Sequence, residues 1–124
     1  MAPTTKISEH DHTPLSLAPA MSDAERSART DELLEASAGS ADVAAEVVAE
    51  VVRLNLGIAR SIAMRYRNRG VAEDDLVQVA YLGLVKAIQG FDPTKGGHFL
   101  AYAVPTIRGE IKRFFRDSAW VVRT

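Results

Sequence analysis

Cysteine is absent from this sequence, so disulfides and thiolate metal sites are excluded and a reducing compartment is permitted. There is no basic start followed by an apolar run. The longest apolar stretches are broken every few residues by Glu, Arg, Asn or Gln, far short of the ~20 residues needed to span a bilayer. The expectation is a soluble, cytoplasmic protein with no membrane contact. No segment alternates as a half-buried strand would, and no repeat of useful period is present, so the fold class expected is all-α. Also missing are a nucleophile beside a base, a metal-spaced cluster and a phosphate-binding glycine loop, which argues against an enzyme, a cofactor, a bound metal or a small-molecule substrate. A length of 124 residues fits one domain with a real core.

What the sequence does contain is an uneven distribution of charge. Residues 1–52 carry three bases and ten acids, a balance of −7, whereas residues 53–124 carry twelve bases and six acids, a balance of +6. Two readings stand: an anion-binding module with an acidic appendage, or a solvated surface that is simply divided unevenly. On the first reading, the acidic half shields the basic one until a partner displaces it.

Residues 1–20 hold three of the five prolines and no periodic apolar pattern, which predicts a disordered tail. Its cluster Glu9, His10, Asp11, His12 has no supporting shell and is not read as a metal site. Ser22 and Glu25 form a capping box that predicts a helix from Asp23 to Ala36, ended by Gly39 and Ser40. Val43, Val47, Val51, Leu54, Ile58 and Ile62 recur at steps of three and four and predict a long helix from near Asp42. That helix should end near Arg69, with Arg65, Arg67 and Arg69 in its last turn and Gly70 as its left-handed exit. Arg60 and these three arginines form either a solvated helix end or a contact with a partner.

A third helix is expected from Asp74 to Gly90, with only Gln78, Lys86 and Gln89 as its polar strip. A helix apolar nearly all round is either enclosed by its own domain or offered to another protein. Residues 92–97 form a turn by composition. A final helical stretch from Phe99 to Asp117 should kink or restart at Pro105. Ile107, Ile111 and Phe114 share one face of it, and Arg108, Lys112 and Arg116 step along another as a basic ridge. Trp120 is expected beyond the last helix.

The strings RLNLGIARSIAMRYRNRG (53–70), DDLVQVAYLGLVKAIQGFDP (74–93) and FLAYAVPTIRGEIKRFFRD (99–117) together resemble region 2 of sigma-70-type factors, in the family's order and spacing. The motif AVPTIRGEIKRFFRDSAW is similar to the stress-response and sporulation branch. The housekeeping pattern instead carries a pair of tryptophans where this chain has Pro105 and Thr106. After the tail over 1–20, the resemblance implies a helix within 21–41 similar to the end of region 1.2, and region 2 over 42–122 as a compact bundle of about four helices. The family continues past this point into regions 3 and 4, which this sequence does not contain.

The resemblance further implies that the third helix docks on the clamp helices of the largest subunit of core RNA polymerase, through Asp75, Gln78, Val79, Tyr81 and Val85. Many relatives have Glu where this chain has Val79, so this docking surface should be more apolar. Phe99 and Tyr102 match base-contacting aromatics, with Arg108, Lys112, Arg113 and Arg116 contacting phosphates or base edges. For Phe99, a core position closing the turn is the other reading. The implied partners are core RNA polymerase, the single-stranded non-template minus-ten element of promoter DNA, and an anti-sigma factor. The alternative function is a decoy or anti-sigma docking module that keeps protein binding without productive DNA recognition.

Overall fold

The structure, a computed structural model, describes residues 20–40 and 43–123, with side chains to 118. The expected tail over 1–20, including the Glu9 to His12 cluster, and the helix start near Asp42 lie outside the described residues, apart from Ala20. Four α-helices and one short 3₁₀ turn make up the rest, with no strand among the described residues. The all-α expectation holds there.

Helix α1 spans Asp23–Ala36 and opens on the predicted capping box. Ser22 Oγ accepts the Glu25 amide at 3.0 Å, and the Glu25 carboxylate accepts the Ser22 amide at 2.8 Å, which satisfies two otherwise free donors at the helix end. Helix α2 spans Ala45–Met64 and buries Val51, Leu54, Ala59, Ile62 and Ala63 at the spacing the sequence displays.

Helix α2 ends five residues short of the position expected from sequence. Its last turn holds no base; Arg65 is its C-cap, and Arg67 and Arg69 follow in the loop. Asn68 takes a positive φ of 65° ahead of Gly70 at 93°, so the chain has already left the right-handed helix when it reaches the glycine. One arginine still meets the helix end, because Arg67 Nη1 donates to the Met64 carbonyl at 3.1 Å.

Helix α3 spans Glu73–Gly90, one residue longer at its start than expected. Its N-cap is Ala72 with no side-chain bond, and Glu73, Asp74 and Asp75 supply negative charge against the partial positive helix end instead. Leu76, Ala80, Gly83, Leu84, Ala87 and Ile88 form its buried face, packed chiefly on α4 and α2. Each fully buried Leu or Ile here contributes roughly 1.5–3 kcal/mol. Gly83 lets α4 come close: a Cβ there would stand 3.0 Å from the Ile107 Cα.

The turn over 92–97 contains the 3₁₀ segment Pro93–Lys95. Asp92 accepts both the amide and the hydroxyl of Thr94, and the hydroxyl bond first, then the amide, holds its carboxyl below the ordinary value. Helix α4 then runs unbroken over Phe99–Arg123. The expected restart at Pro105 does not occur. Proline removes the amide that would bond to the Ala101 carbonyl, yet both residues are exposed, so water replaces that bond at modest cost. One turn on, the Thr106 hydroxyl donates to the Tyr102 carbonyl at 2.9 Å. Trp120 therefore lies within the helical backbone rather than beyond it.

The core draws on every helix. Leu34, Val51, Ala59, Leu76, Leu84, Phe99, Ile107 and Ile111 belong to one buried cluster. One polar pair is enclosed with it: Asn55 Nδ2 donates to Thr30 Oγ1 at 2.9 Å and to the Val51 carbonyl at 2.8 Å. Asn55 Oδ1 finds no partner among the described residues.

Candidate nucleic-acid and partner interface

Two surfaces emerge from this packing, one on α3 and one on α4. With α3 buried along one side, its opposite side is fixed by the helical repeat, and residues at steps of three, four and seven share it. Asp75, Gln78, Leu82, Lys86 and Gln89 are exposed there, with Val79 and Val85 half-buried beside them. Tyr81 lies at the edge of this face and is half-buried. The five docking positions expected from sequence thus lie along one side of one helix.

Leu82 is the residue the sequence reading passed over. It is 58% exposed and forms the centre of that face, three and four residues from Val79, Gln78, Val85 and Lys86. Its spacing of seven from Asp75 is the signal that could have found it. An exposed leucine flanked by two valines and rimmed by Asp75 and Lys86 has the make-up of a protein contact, apolar at the centre and polar at the rim.

On α4, Ala103, Ile107 and Ile111 are buried, which turns Arg108, Lys112, Arg113 and Arg116 outward to solvent. Arg113 lies 3.4 Å from the Glu110 carboxylate, whereas Arg108, Lys112 and Arg116 have no ion-pair partner among the described residues. Glu110 also accepts from Lys86 of α3 at 3.0 Å. That bond is the first cause holding its carboxyl below the ordinary value, with Arg113 adding to it. The one acid inside the ridge is thereby engaged by bases already, so the ridge keeps a positive face.

The two candidate rings separate cleanly. Phe99 is 0% exposed and stands edge-on to Phe91 with ring centroids 5.5 Å apart. Phe99 thus occupies the core position, the other of its two readings, with its ring closed off from solvent. Tyr102, three residues on, is 41% exposed, with its ring 5.7 Å from that of Phe91. Phe114 and Phe115 are both half-buried, and Phe115 packs against Tyr66 of the α2 exit at 6.0 Å. Arg69 sits 5.2 Å over the same Tyr66 ring, so this arginine is spent on a cation–π contact.

Between the start of α1, the end of α2 and α4 lies an open cleft of about 510 Å³. Its floor is apolar, from Ile58, Ile62 and Val104, and Arg26, Arg65 and Arg108 stand around it. Arg26 is tied to Asp23 and to the Met21 carbonyl, whereas Arg65 and Arg108 have no ion-pair partner among the described residues. An apolar floor between guanidinium groups suits a planar base attached to a phosphate.

The position of α4 is set from a distance. Asp31 of α1 accepts the Phe99 amide at 3.0 Å through one carboxylate oxygen, and its other oxygen lies 2.9 Å from His98 Nδ1. A side chain 68 residues away thus caps the helix that carries Tyr102 and the ridge. Among the described residues no group of three or more His, Asp or Glu could hold a metal ion, and no helix is long and apolar enough to cross a membrane.

Comparison with known proteins agrees with the architecture. The family model for Sigma-70 region 2 matches residues 51–121, which covers α2 from its second turn through α4. The chain is 47% identical over 74 residues to the RNA polymerase sigma factor SigF of Mycobacterium tuberculosis (strain H37Rv), covering 60% of this chain and 28% of that protein. It is 43% identical over 72 residues to the RNA polymerase sigma-B factor of Bacillus subtilis (strain 168), covering 58% and 28%. With the sigma-F factor of the same organism the identity is 42% over 71 residues, covering 57% and 28%. The chain thus spans little more than a quarter of the length of these relatives. Its matched part holds α3 with its exposed face and α4 with its ridge, and by that match the chain belongs to the sigma-70 family, as a region 2 domain similar to those of alternative sigma factors.

Proposed function

We propose that this domain docks on core RNA polymerase through the outer face of α3 and captures the melted non-template strand of the promoter minus-ten element along α4. The carrying observation is the arrangement on α4: an exposed Tyr102 ring at its head, followed over ~21 Å of helix by cations without acidic partners among the described residues. Promoter opening needs no bond chemistry from this subunit. It needs unstacked bases to be held more favourably than in the duplex, and a base stacked on an aromatic ring gains ~1–3 kcal/mol. Arg108, Lys112 and Arg116 supply the phosphate track, with Arg113 beside it, and the cleft between Arg65 and Arg108 has room for an extruded base.

Tyr81 and Leu82, with Asp75, Gln78, Val79 and Val85, form the surface assigned to the clamp helices of the polymerase. Pro105 is exposed and Thr106 is turned to its own backbone, so neither offers a ring to a base at the upstream edge of the melted segment. A weak wedge makes opening depend more strictly on the captured sequence, and single mismatches in the minus-ten element should abolish opening.

Two variants separate the two surfaces. Leu82→Asp should lose co-elution with core polymerase, while Tyr102→Ala should co-elute as the wild type does but fail to retain the minus-ten strand. Loss of both activities in both variants, or of neither, would contradict the assignment.

A further inference from the structure

Gly90 has no backbone reason to be glycine. Gly39, Gly70, Gly96 and Gly97 all take positive φ, which L side chains rarely adopt, but Gly90 does not. It is the last residue of α3, in ordinary helical geometry, where glycine is less favourable than alanine. What distinguishes it is its neighbour. A Cβ at this position would stand 2.6 Å from the Tyr102 hydroxyl, closer than real Cβ contacts allow, with the ring carbons at 3.6 and 3.9 Å.

We propose that Gly90 is a positioning residue for base capture: its missing side chain is the seat that holds the Tyr102 ring in its receptive pose. This deepens the base-stacking role proposed above and rests on it. Phe91 meets the ring at 5.7 Å, the floor at Gly90 sets how far the hydroxyl end descends, and the solvent side stays open for a stacked base. A methyl at 90 cannot push back the α3 backbone, but it can lift the phenol, which is the free end of a side chain. The fold is thus preserved while the ring tilts away from the pose it needs. The geometry also names the remedy. The closest atom is the hydroxyl oxygen, so removing it with Tyr102→Phe makes room for the methyl and lets the ring settle again.

The test compares five forms of the chain for binding of a fluorescent single-stranded minus-ten oligonucleotide at one salt concentration, with thermal melting of each. Tyr102→Ala should bind weakly, and Tyr102→Phe, which keeps the ring face, sets the reference affinity for the double variant. Gly90→Ala should bind about five- to tenfold more weakly, within the range one stacked base supplies, with a melting temperature unchanged or raised. The double variant Gly90→Ala, Tyr102→Phe should regain the Tyr102→Phe affinity. Wild-type affinity in Gly90→Ala, a lowered melting temperature in that variant, or a double variant as weak as Gly90→Ala overturns the seat while leaving Tyr102 as base contact. Wild-type affinity in Tyr102→Ala overturns the stacking role and the seat together.

Discussion

At the residue scale, small side chains carry opposite meanings at different places, and the surroundings decide which. Gly109 is exposed on α4, and a Cβ there would meet nothing within 4 Å. Gly109→Ala should raise stability by about 0.5–1 kcal/mol through helix propensity alone. Gly83 is buried against the Ile107 backbone at 3.0 Å, and backbone inside a packed helix pair cannot give way cheaply. Gly83→Ala should therefore lower stability, by about 1–3 kcal/mol, as overpacked cores do. Thermal melting of the two variants side by side checks both signs, since 1 kcal/mol moves the melting point by about 4–8 °C in a domain near this size.

Acid sensitivity also has a residue-scale source. Glu110 is held below its ordinary value of 4.5 by the Lys86 hydrogen bond first and by Arg113 after it. A carboxylate lowered by folding adds stability that is fully present above its ordinary value and is lost as pH falls through the depressed one. Lys86 is half exposed, so solvent screening keeps the effect below about 1 kcal/mol. Glu110→Gln should be slightly less stable than wild type at neutral pH and converge with it as pH falls through the depressed Glu110 value. Melting curves across that range would show a constant gap if the pair contributed nothing pH-dependent.

At the scale of elements, the ends of helices proved harder to read than their faces, and for physical reasons. The apolar spacing from Val43 to Ile62 locates the buried face of α2 well. The loop that follows its end runs through Asn68 in a left-handed conformation, an option open to asparagine but not dictated by it. Pro105 misleads for a related reason: its cost falls on one carbonyl, and where that carbonyl is exposed the helix continues. The burial of Phe99 was legible only as one of two readings, because its sequence spacing does not reveal Phe91 waiting beside it. The Asp31 cap on α4 was not legible at all, since nothing local links residues 31 and 99. It bears on the proposed capture: α1 lies outside the region 2 match yet fixes the head of the helix that bears Tyr102. Asp31→Ala should lower stability by about 1–2 kcal/mol, as lost caps do. Asp31→Asn, which keeps an acceptor oxygen for the Phe99 amide, should lose less. Equal losses in both would mean that charge, rather than the cap, is what α1 contributes.

At the scale of the whole molecule, the two tasks proposed for the domain fall on two helices that brace each other. Helix α3 turns Leu82 and its neighbours outward and packs its other side on α4, which in turn keeps Tyr102 and the ridge facing solvent. The Lys86 to Glu110 bridge and the close pass at Gly83 join the two, and on the proposed reading this bracing would hold the strand's track rigid while the polymerase is docked on the other face. The most direct measurement is a titration of the chain with the non-template minus-ten oligonucleotide and with a scrambled strand, each at several salt concentrations, for wild type, Tyr102→Ala and Arg108→Ala. Strand-selective binding that weakens with salt is the expected result. Tyr102→Ala should lose affinity at every salt concentration, and Arg108→Ala should lower the salt slope by about 0.7, the share of one phosphate contact on a single strand. Equal affinity for both strands, unaltered in either variant and with core polymerase present, would contradict capture and leave only the docking role of α3.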